Sequence, residues 1–185
     1  MKEIWKPGNM VYPLPAVLVS CAAGGRDNLI TVAWTGTLCS EPAMTYVSVR
    51  PERYSYNLIR ESGEFVINLT TQALCAATDF CGVRSGREVD KFEACGLHRE
   101  KAQFVAAPLL AESPVNIECR VKEVREYGSH HMFAAEVLAV HVDTDYMNEK
   151  GKFDLEKAGV IAYSHGEYFG LGEKLGRFGY SVKKK

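Results

Sequence analysis

The first third of the chain shows the hydrophobic pattern of β-strands. An apolar run at 16–22 is followed by a glycine-rich turn at 24–28. Two further runs, at 29–38 and 44–50, are rich in Val, Ile, Thr and aromatic residues, and a short segment containing a proline separates them. We therefore expect three strands in this part of the chain, joined by short turns.

Helical spacing begins after Pro51. Tyr54, Leu58 and Ile59 fall on one face of a helix, and Gly63 follows the last periodic residue. Because glycine is favoured just past a helix C-terminus, this pattern predicts a helix over 53–62. A strand at 64–69 and a second short helix at 71–81 are expected to follow.

The strand pattern returns at Val115. Apolar and polar residues alternate from Val115 to Lys122, and the turn 127–129 leads into a partner strand at 131–142 that is apolar on both faces. A strand buried on both faces needs a cover, and a second copy of the chain is the simplest one. The whole pattern predicts a mainly β fold, a closed or nearly closed antiparallel barrel with a few short helices.

Length and charge narrow the class of protein. The 185 residues predict a single domain over 1–185, and 46% of them are hydrophobic. A net charge of −1 predicts neither a nucleic-acid partner nor attraction to an anionic membrane surface. No segment approaches the roughly 20 apolar residues of a membrane span. Six cysteines without a C-x-x-C pair are expected to be buried free thiols of a cytoplasmic protein.

A first candidate site lies where the predicted helix begins, at 49–56. The first turn of a helix offers unpaired backbone N–H groups at the positive end of its dipole, which suits a phosphate. Arg50 and Arg53 would add positive charge there, and the hydroxyl of Ser55 would add a donor. A solvated helix start is an equally good explanation from the residues alone.

Two more segments carry weaker signals. In 28–36, Trp34 stands among small and polar residues, which suits a flat aromatic ligand, although an ordinary core tryptophan is the more common explanation. In the polar loop 84–92, Lys91 could reach an anionic ligand, although a solvated loop is more common. No catalytic signature is found, and no metal site is expected, because the adjacent His130 and His131 would point to opposite faces of a strand.

Taken together, these segments resemble the flavin reductase-like family of FMN-binding split barrels, and within it the flavoredoxin branch. The resemblance rests on five ordered blocks: NLITVAWTG at 28–36, VRPERYSYNLI at 49–59, SGEFVIN at 62–68, SGREVDKF at 85–92 and EYFGLGEKLGRFGYSV at 167–182. It implies a homodimer in which each subunit holds one FMN near the dimer interface. The tail over about 165–185 is expected to be a structural arm against the barrel or the partner.

The resemblance also implies which residues bind FMN. Ser55 and Lys91 would bond the phosphate–ribityl end or the nearby ring edge. The full set implied by the resemblance is Asn28, Thr31, Val32, Ala33, Trp34, Ser55, Ser85, Lys91, His130 and Tyr163. Arg50 is added to these cofactor-binding residues from the helix-end argument.

The expected function is an oxidoreductase that moves electrons from NADH or NADPH through bound FMN to flavin, ferric iron or a redox partner. Because the cofactor carries this chemistry, no catalytic side chain is expected. Two alternatives stay open: an electron carrier whose FMN is reduced by a protein partner, and a non-catalytic flavin-binding protein.

Overall fold

The computed structural model describes residues 1–182, and within that range the chain forms mainly short β-strands with a few helices. The strands are β1 Leu14–Pro15, β2 Val17–Ala23, β3 Arg26–Val32, β4 Thr35–Ser40, β5 Ala43–Val49, β6 Glu64–Leu69, β7 Arg99–Glu100, β8 Leu109–Leu110, β9 Val115–Tyr127, β10 His130–Val142, β11 Ile161–Ser164 and β12 Glu167–Gly170. The helices are α1 Tyr54–Ser62, α2 Cys75–Val83, α3 Lys91–Cys95 and α4 Leu155–Ala158, with 3-10 turns at Thr144–Tyr146 and Tyr180–Val182.

Seven strands form one antiparallel sheet in the order β3-β2-β6-β9-β10-β5-β4. The two edge strands, β3 and β4, are consecutive in the chain, and only Ala33 and Trp34 separate them. The chain takes three Cα–Cα steps from Val32 to Thr35, at most about 11 Å, so the two edges must lie close together there and the sheet must curl into a barrel. The predicted antiparallel split barrel is confirmed, and the split lies between β3 and β4.

The prediction of one continuous strand over 29–38 is wrong. The residues on either side of the split pair with different neighbours: Val32 lies opposite Val17 in β2, and Thr35 lies opposite Val47 in β5. The chain therefore crosses from one edge of the sheet to the other in the middle of an apolar run. This crossing places Ala33 and Trp34 at the opening of the barrel.

The hydrophobic core lies on both sides of the sheet. Alternate residues of β2 such as Val17 and Val19 pack inside the barrel with Phe65 and Phe133. Leu18 points outward and packs with a second group that covers this face: Leu29, Leu74, Cys81, Phe92, Leu97 and Leu110. Helices α2 and α3 contribute to this outer layer, so β2 is buried on both faces.

The helices agree with the sequence patterns to different degrees. Helix α1 ends as predicted at Gly63, which adopts a left-handed conformation at φ 68° and donates its N–H to Ile59. Helix α2 starts and ends later than the predicted 71–81. Helix α3 begins within the last two residues of the segment 84–92, which was predicted to be a loop, and continues beyond it. Strands β11 and β12 form a hairpin that pairs with β1 and begins before the predicted arm.

The exposure of side chains agrees with the predictions only in part. Within a single chain one face of strand β10 is uncovered, because Val140 is 55% exposed, and the cover by a second copy stays a prediction. In the C-terminal arm, Leu175 and Phe178 are fully exposed and do not pack on the barrel, and Lys183–Lys185 lie outside the described residues. All six cysteines are free, as predicted, but only three are buried: Cys21, Cys81 and Cys119. Between residues 1 and 182, none of the helices combines the length and the apolar composition that a membrane-spanning helix needs.

Candidate functional site

A cavity of about 480 Å³ opens at the split of the barrel. Aromatic rings form much of its wall. The rings of Trp34 and His130 lie 4.1 Å apart between centroids, and those of Tyr163 and Tyr168 lie 5.6 Å apart. We call this space the aromatic cavity, and its walls include Tyr12, Ile30, Thr31, Val32, Ala33, Trp34, Ser48, Arg50, Arg53, Asp79, Gly82, His130, Tyr163 and Tyr168.

A second cavity of about 360 Å³ adjoins the first, and Ile30, Arg50 and Arg53 line both. We call it the arginine cavity because four arginines line it, together with Asn28, Glu52, Tyr54, Ser55, Cys81, Ser85, Gly86 and Lys91; the arginines are Arg50, Arg53, Arg84 and Arg87. Glu52 is the one carboxylate among these lining residues, and it lies 3.3 Å from Arg50. The arginine cavity therefore carries an excess of positive charge.

Asn28 and Ser55 join the two walls of the arginine cavity. The Asn28 Nδ2 amide donates a hydrogen bond of 2.8 Å to Ser55 Oγ, which links β3 to the first turn of α1. Asn28 is 5% exposed and Ser55 is fully buried. The bond therefore fixes the Ser55 hydroxyl at the base of the cavity, where the helix begins.

The sequence pattern placed Lys91 in a polar loop, but in the structure it lies in a helix. It is the first residue of α3, which Asp90 caps by accepting hydrogen bonds from Phe92 and Glu93. The Lys91 side chain is 3% exposed, and its Nζ donates to the carbonyls of Leu29 and Cys81, both at 2.7 Å. Burial lowers the pKa of Lys91. Because an ammonium has three donors, one remains for a ligand in the arginine cavity.

The open edge of β3 offers main-chain groups to the aromatic cavity. The Leu29 carbonyl accepts from Lys91, so the main chain of Leu29 faces away from β2. Because successive residues of an antiparallel strand alternate between the two edges, the N–H and C=O of Thr31 face the same open side. The Thr31 hydroxyl donates to the Thr78 carbonyl in α2, so the main-chain N–H is the donor that Thr31 leaves free at this edge.

His130 and Tyr163 stand on two further sides of the aromatic cavity. His130 begins β10, its Nδ1 lies 2.9 Å from Ser129 Oγ, and burial together with the charge of Arg50 lowers its pKa. A neutral imidazole can pack against Trp34 without the cost of a buried charge. Tyr163 comes from β11, which is held by its pairing with β1.

All the predicted site residues line one or both cavities. Those that line the aromatic cavity are Thr31, Val32, Ala33, Trp34, Arg50, His130 and Tyr163. Those that line the arginine cavity are Asn28, Arg50, Ser55, Ser85 and Lys91. Among residues 1–182, no group of three or more His, Cys, Asp or Glu side chains is arranged to hold a metal ion.

The sequence-based set of site residues missed several members of both walls. Arg84 comes directly before the block at 85–92 and Arg87 lies within it, and their charge was the available signal. Tyr12 and Tyr168 carried no comparable signal, because packing of the N-terminal segment and of β12 brings them to the cavity. Tyr168 donates to Asp79 Oδ1 at 3.3 Å, and burial with this neighbouring carboxylate raises the pKa of Tyr168 to about 12.

Known proteins share this architecture. A family model described as "Flavin reductase like domain" matches residues 9–172. Flavoredoxin of Desulfovibrio vulgaris (Miyazaki F) is 31% identical, with a TM-score of 0.93 and a match that covers 99% of this chain and 100% of that one. An Aeropyrum pernix protein of uncharacterized function is 32% identical over 155 residues, 83% of this chain but only 58% of that protein.

One relative has a named activity. The reductase component of 4-nitrophenol 4-monooxygenase/4-nitrocatechol 2-monooxygenase from Rhodococcus opacus is 26% identical over 127 residues, which are 69% of this chain and 65% of that protein. The family model covers most of this chain, and the split barrel agrees with it. The chain therefore belongs to the flavin reductase-like domain family.

Proposed function

We propose that this protein binds FMN across the two adjoining cavities, with the flavin ring in the aromatic cavity and the phosphate in the arginine cavity. The observation that carries the proposal is the contiguity of the two cavities through Ile30, Arg50 and Arg53. FMN joins a flat aromatic ring to a phosphate through a short polar chain. The two halves of the site match the two ends of this molecule in chemistry and in order.

The donor set of each half fits its end of FMN. Trp34, His130 and Tyr163 would enclose the ring, while the main chain of Thr31 would hydrogen-bond to its polar edge. An arginine guanidinium can donate two parallel hydrogen bonds to the oxygens of one phosphate, and the Lys91 ammonium would add a point charge. The Ser55 hydroxyl, fixed by Asn28, stands where the polar chain would meet the phosphate.

We propose that the reaction is electron transfer from NADH or NADPH to an acceptor, either free flavin, ferric iron or a redox partner. When bound, FMN would supply the capacity to accept a hydride and to release electrons onward. The residues of the chain would orient the ring, limit the access of water and balance the phosphate charge. Membership of the family and the reductase component among the relatives support this proposal.

A second candidate is an electron carrier that a protein partner reduces. The similarity to a flavoredoxin over the whole chain favours it. The cavity walls suit both candidates, because a carrier and a reductase hold the same flavin ring. The two differ in whether a reduced pyridine nucleotide can transfer a hydride directly.

We also propose a homodimer in a reducing compartment such as the cytoplasm. Apolar side chains are exposed on the barrel and on the arm, among them Val140, Leu175 and Phe178. Their exposure supports a dimer in which a second copy of the chain buries them. Six free thiols support the reducing compartment. Sedimentation equilibrium of the purified protein tests the dimer, and a monomer at micromolar concentration would contradict it.

The test of electron transfer is an anaerobic absorption spectrum of the FMN-loaded protein before and after addition of NADH or NADPH. Bleaching of the bound flavin band within seconds would support the reductase. A band that persists with either nucleotide but bleaches with a reduced low-potential redox protein would support the carrier and contradict the reductase. A band that no donor bleaches would leave a flavin-binding protein without catalysis and contradict both.

A further inference from the structure

Gly86 lies in a slot that has no room for a side chain. It stands between Asn28 and Tyr54, on the wall of the arginine cavity. A Cβ atom at this position would lie 2.2 Å from Asn28 Oδ1, 2.6 Å from Asn28 Cγ and 2.7 Å from Tyr54 Cδ1. Real Cβ atoms do not approach other heavy atoms this closely, so any other residue forces a displacement.

The two neighbours of Gly86 are not free to move aside. The Asn28 side chain is buried and donates to Ser55 Oγ at 2.8 Å. The Tyr54 ring lies 5.6 Å from the guanidinium of Arg87, measured to the ring centroid. Because the Asn28–Ser55 bond holds Asn28 in place, a side chain at position 86 would push the segment 84–87 outward.

The segment 84–87 is fastened to the start of α1 at this point. The Arg87 guanidinium donates to the Glu52 carbonyl at 3.2 Å, and the Arg87 N–H donates to Ser85 Oγ at 3.2 Å. With Gly86 seated against Tyr54, these contacts hold Arg84, Ser85 and Arg87 on the wall of the arginine cavity. The close approach at Gly86 thus sets where two of the four cavity arginines stand.

We propose that Gly86 is a positioning residue for a phosphate monoester. The missing Cβ lets the segment 84–87 close on Asn28 and Tyr54, and this closure aims Arg84 and Arg87 at the phosphate. The inference rests on the proposed function, because it assumes that the phosphate of FMN occupies the arginine cavity. It goes beyond that function by assigning the preference for a phosphorylated flavin to a residue without a side chain.

Binding of the flavin ring in the aromatic cavity serves as a control for binding of the phosphate. None of the residues in 84–87, nor Asn28 or Tyr54, lines that cavity. A change at Gly86 is therefore expected to alter the binding of the phosphate and to spare the binding of the ring. Riboflavin, which has the same ring and polar chain but no phosphate, separates the two effects.

The experiment compares the Kd values of FMN and riboflavin, measured by flavin fluorescence quenching, for the wild-type protein, Gly86→Ala and the control Gly172→Ala. A Cβ at Gly172 meets no atom within 4 Å, so the control is expected to match wild type for both ligands. We expect Gly86→Ala to bind FMN about tenfold more weakly, as for the loss of a charge-assisted contact, and riboflavin as wild type does. An equal loss for both ligands, or no loss, would overturn the inference.

A second variant covers the case in which Gly86→Ala does not fold. Tyr54→Leu removes the ring that supports Gly86 and Arg87 without changing any charge, and Tyr54 is only half-buried. It is expected to lower the preference for FMN over riboflavin in the same sense, and an unchanged preference would overturn the inference. If the wild-type protein binds riboflavin as tightly as FMN, the inference fails while flavin binding stands. If the wild type binds neither, the proposed function itself fails, and the inference with it.

Discussion

Replacement of Ser55 by Ala tests how the arginine cavity is built. The Ser55 hydroxyl is fully buried and accepts the hydrogen bond from Asn28 Nδ2. In Ser55→Ala the Asn28 amide keeps its burial but loses this partner. A buried donor left without a partner costs about 1–3 kcal/mol of folding free energy. For a chain of this length that corresponds to a fall in Tm of roughly 2–12 °C.

The assay is urea unfolding followed by circular dichroism, combined in a double-mutant cycle with Asn28→Ala. Since the two side chains contact each other, the double variant is expected to lose about 1 kcal/mol less than the sum of the single losses. Ser40→Ala, at an exposed site at the end of β4, is the matched control and is expected to unfold as wild type does. Single losses that add within about 0.3 kcal/mol would refute the proposed coupling between β3 and α1.

Three further predictions concern the two cavities. Arg84 lines the arginine cavity and not the aromatic cavity, so Arg84→Gln is expected to weaken FMN binding but not riboflavin binding. Raising the salt concentration should do the same in wild type, since salt screens exposed charges, and isothermal titration calorimetry measures both effects. Burial lowers the pKa of Lys91 below its ordinary 10.5, so Lys91 loses its charge as the pH rises through that lowered value. FMN affinity should therefore fall at alkaline pH in wild type, and a fall of the same size in Lys91→Met would contradict this role. Trp34→Ala is expected to weaken FMN and riboflavin alike, by about 2- to 12-fold for the loss of an aromatic contact, as fluorescence titration would show.

Local patterns predicted the elements whose cause is local. Gly63 ends α1 because the left-handed turn there is unstrained for glycine, and that requirement can be read from the sequence. Apolar and polar residues alternate from Val115 to Val121 because they lie on opposite faces of one strand, and the structure has a strand there. The site residues within the five sequence blocks were predicted from the family resemblance, and the fold brings them together in two cavities.

The features that the patterns did not predict depend on distant parts of the chain. The apolar run through Ala33 and Trp34 is continuous, but the choice of β2 or β5 as pairing partner interrupts the strand. Lys91 is buried because carbonyls of Leu29 and Cys81 solvate its ammonium, and the first of these is 62 residues away. A charged residue in a polar segment gives no local sign of such burial.

The role of Gly86 shows the same limit more sharply. In the sequence Gly86 is one residue of the block at 85–92, in a segment that a solvated loop would also explain, and nothing there indicates a close contact. Its importance comes from the approach of Asn28 and Tyr54, which belong to β3 and α1. A close contact between three separate segments can be recognised only after the fold has brought them together.

The most direct test of this account is the crystal structure of the protein grown with saturating FMN. We expect the flavin ring in the aromatic cavity against Trp34, and the phosphate in the arginine cavity among Arg53, Arg84 and Arg87. A flavin bound elsewhere, a ring and phosphate in the reverse order, or two cavities without density at saturating FMN would contradict it.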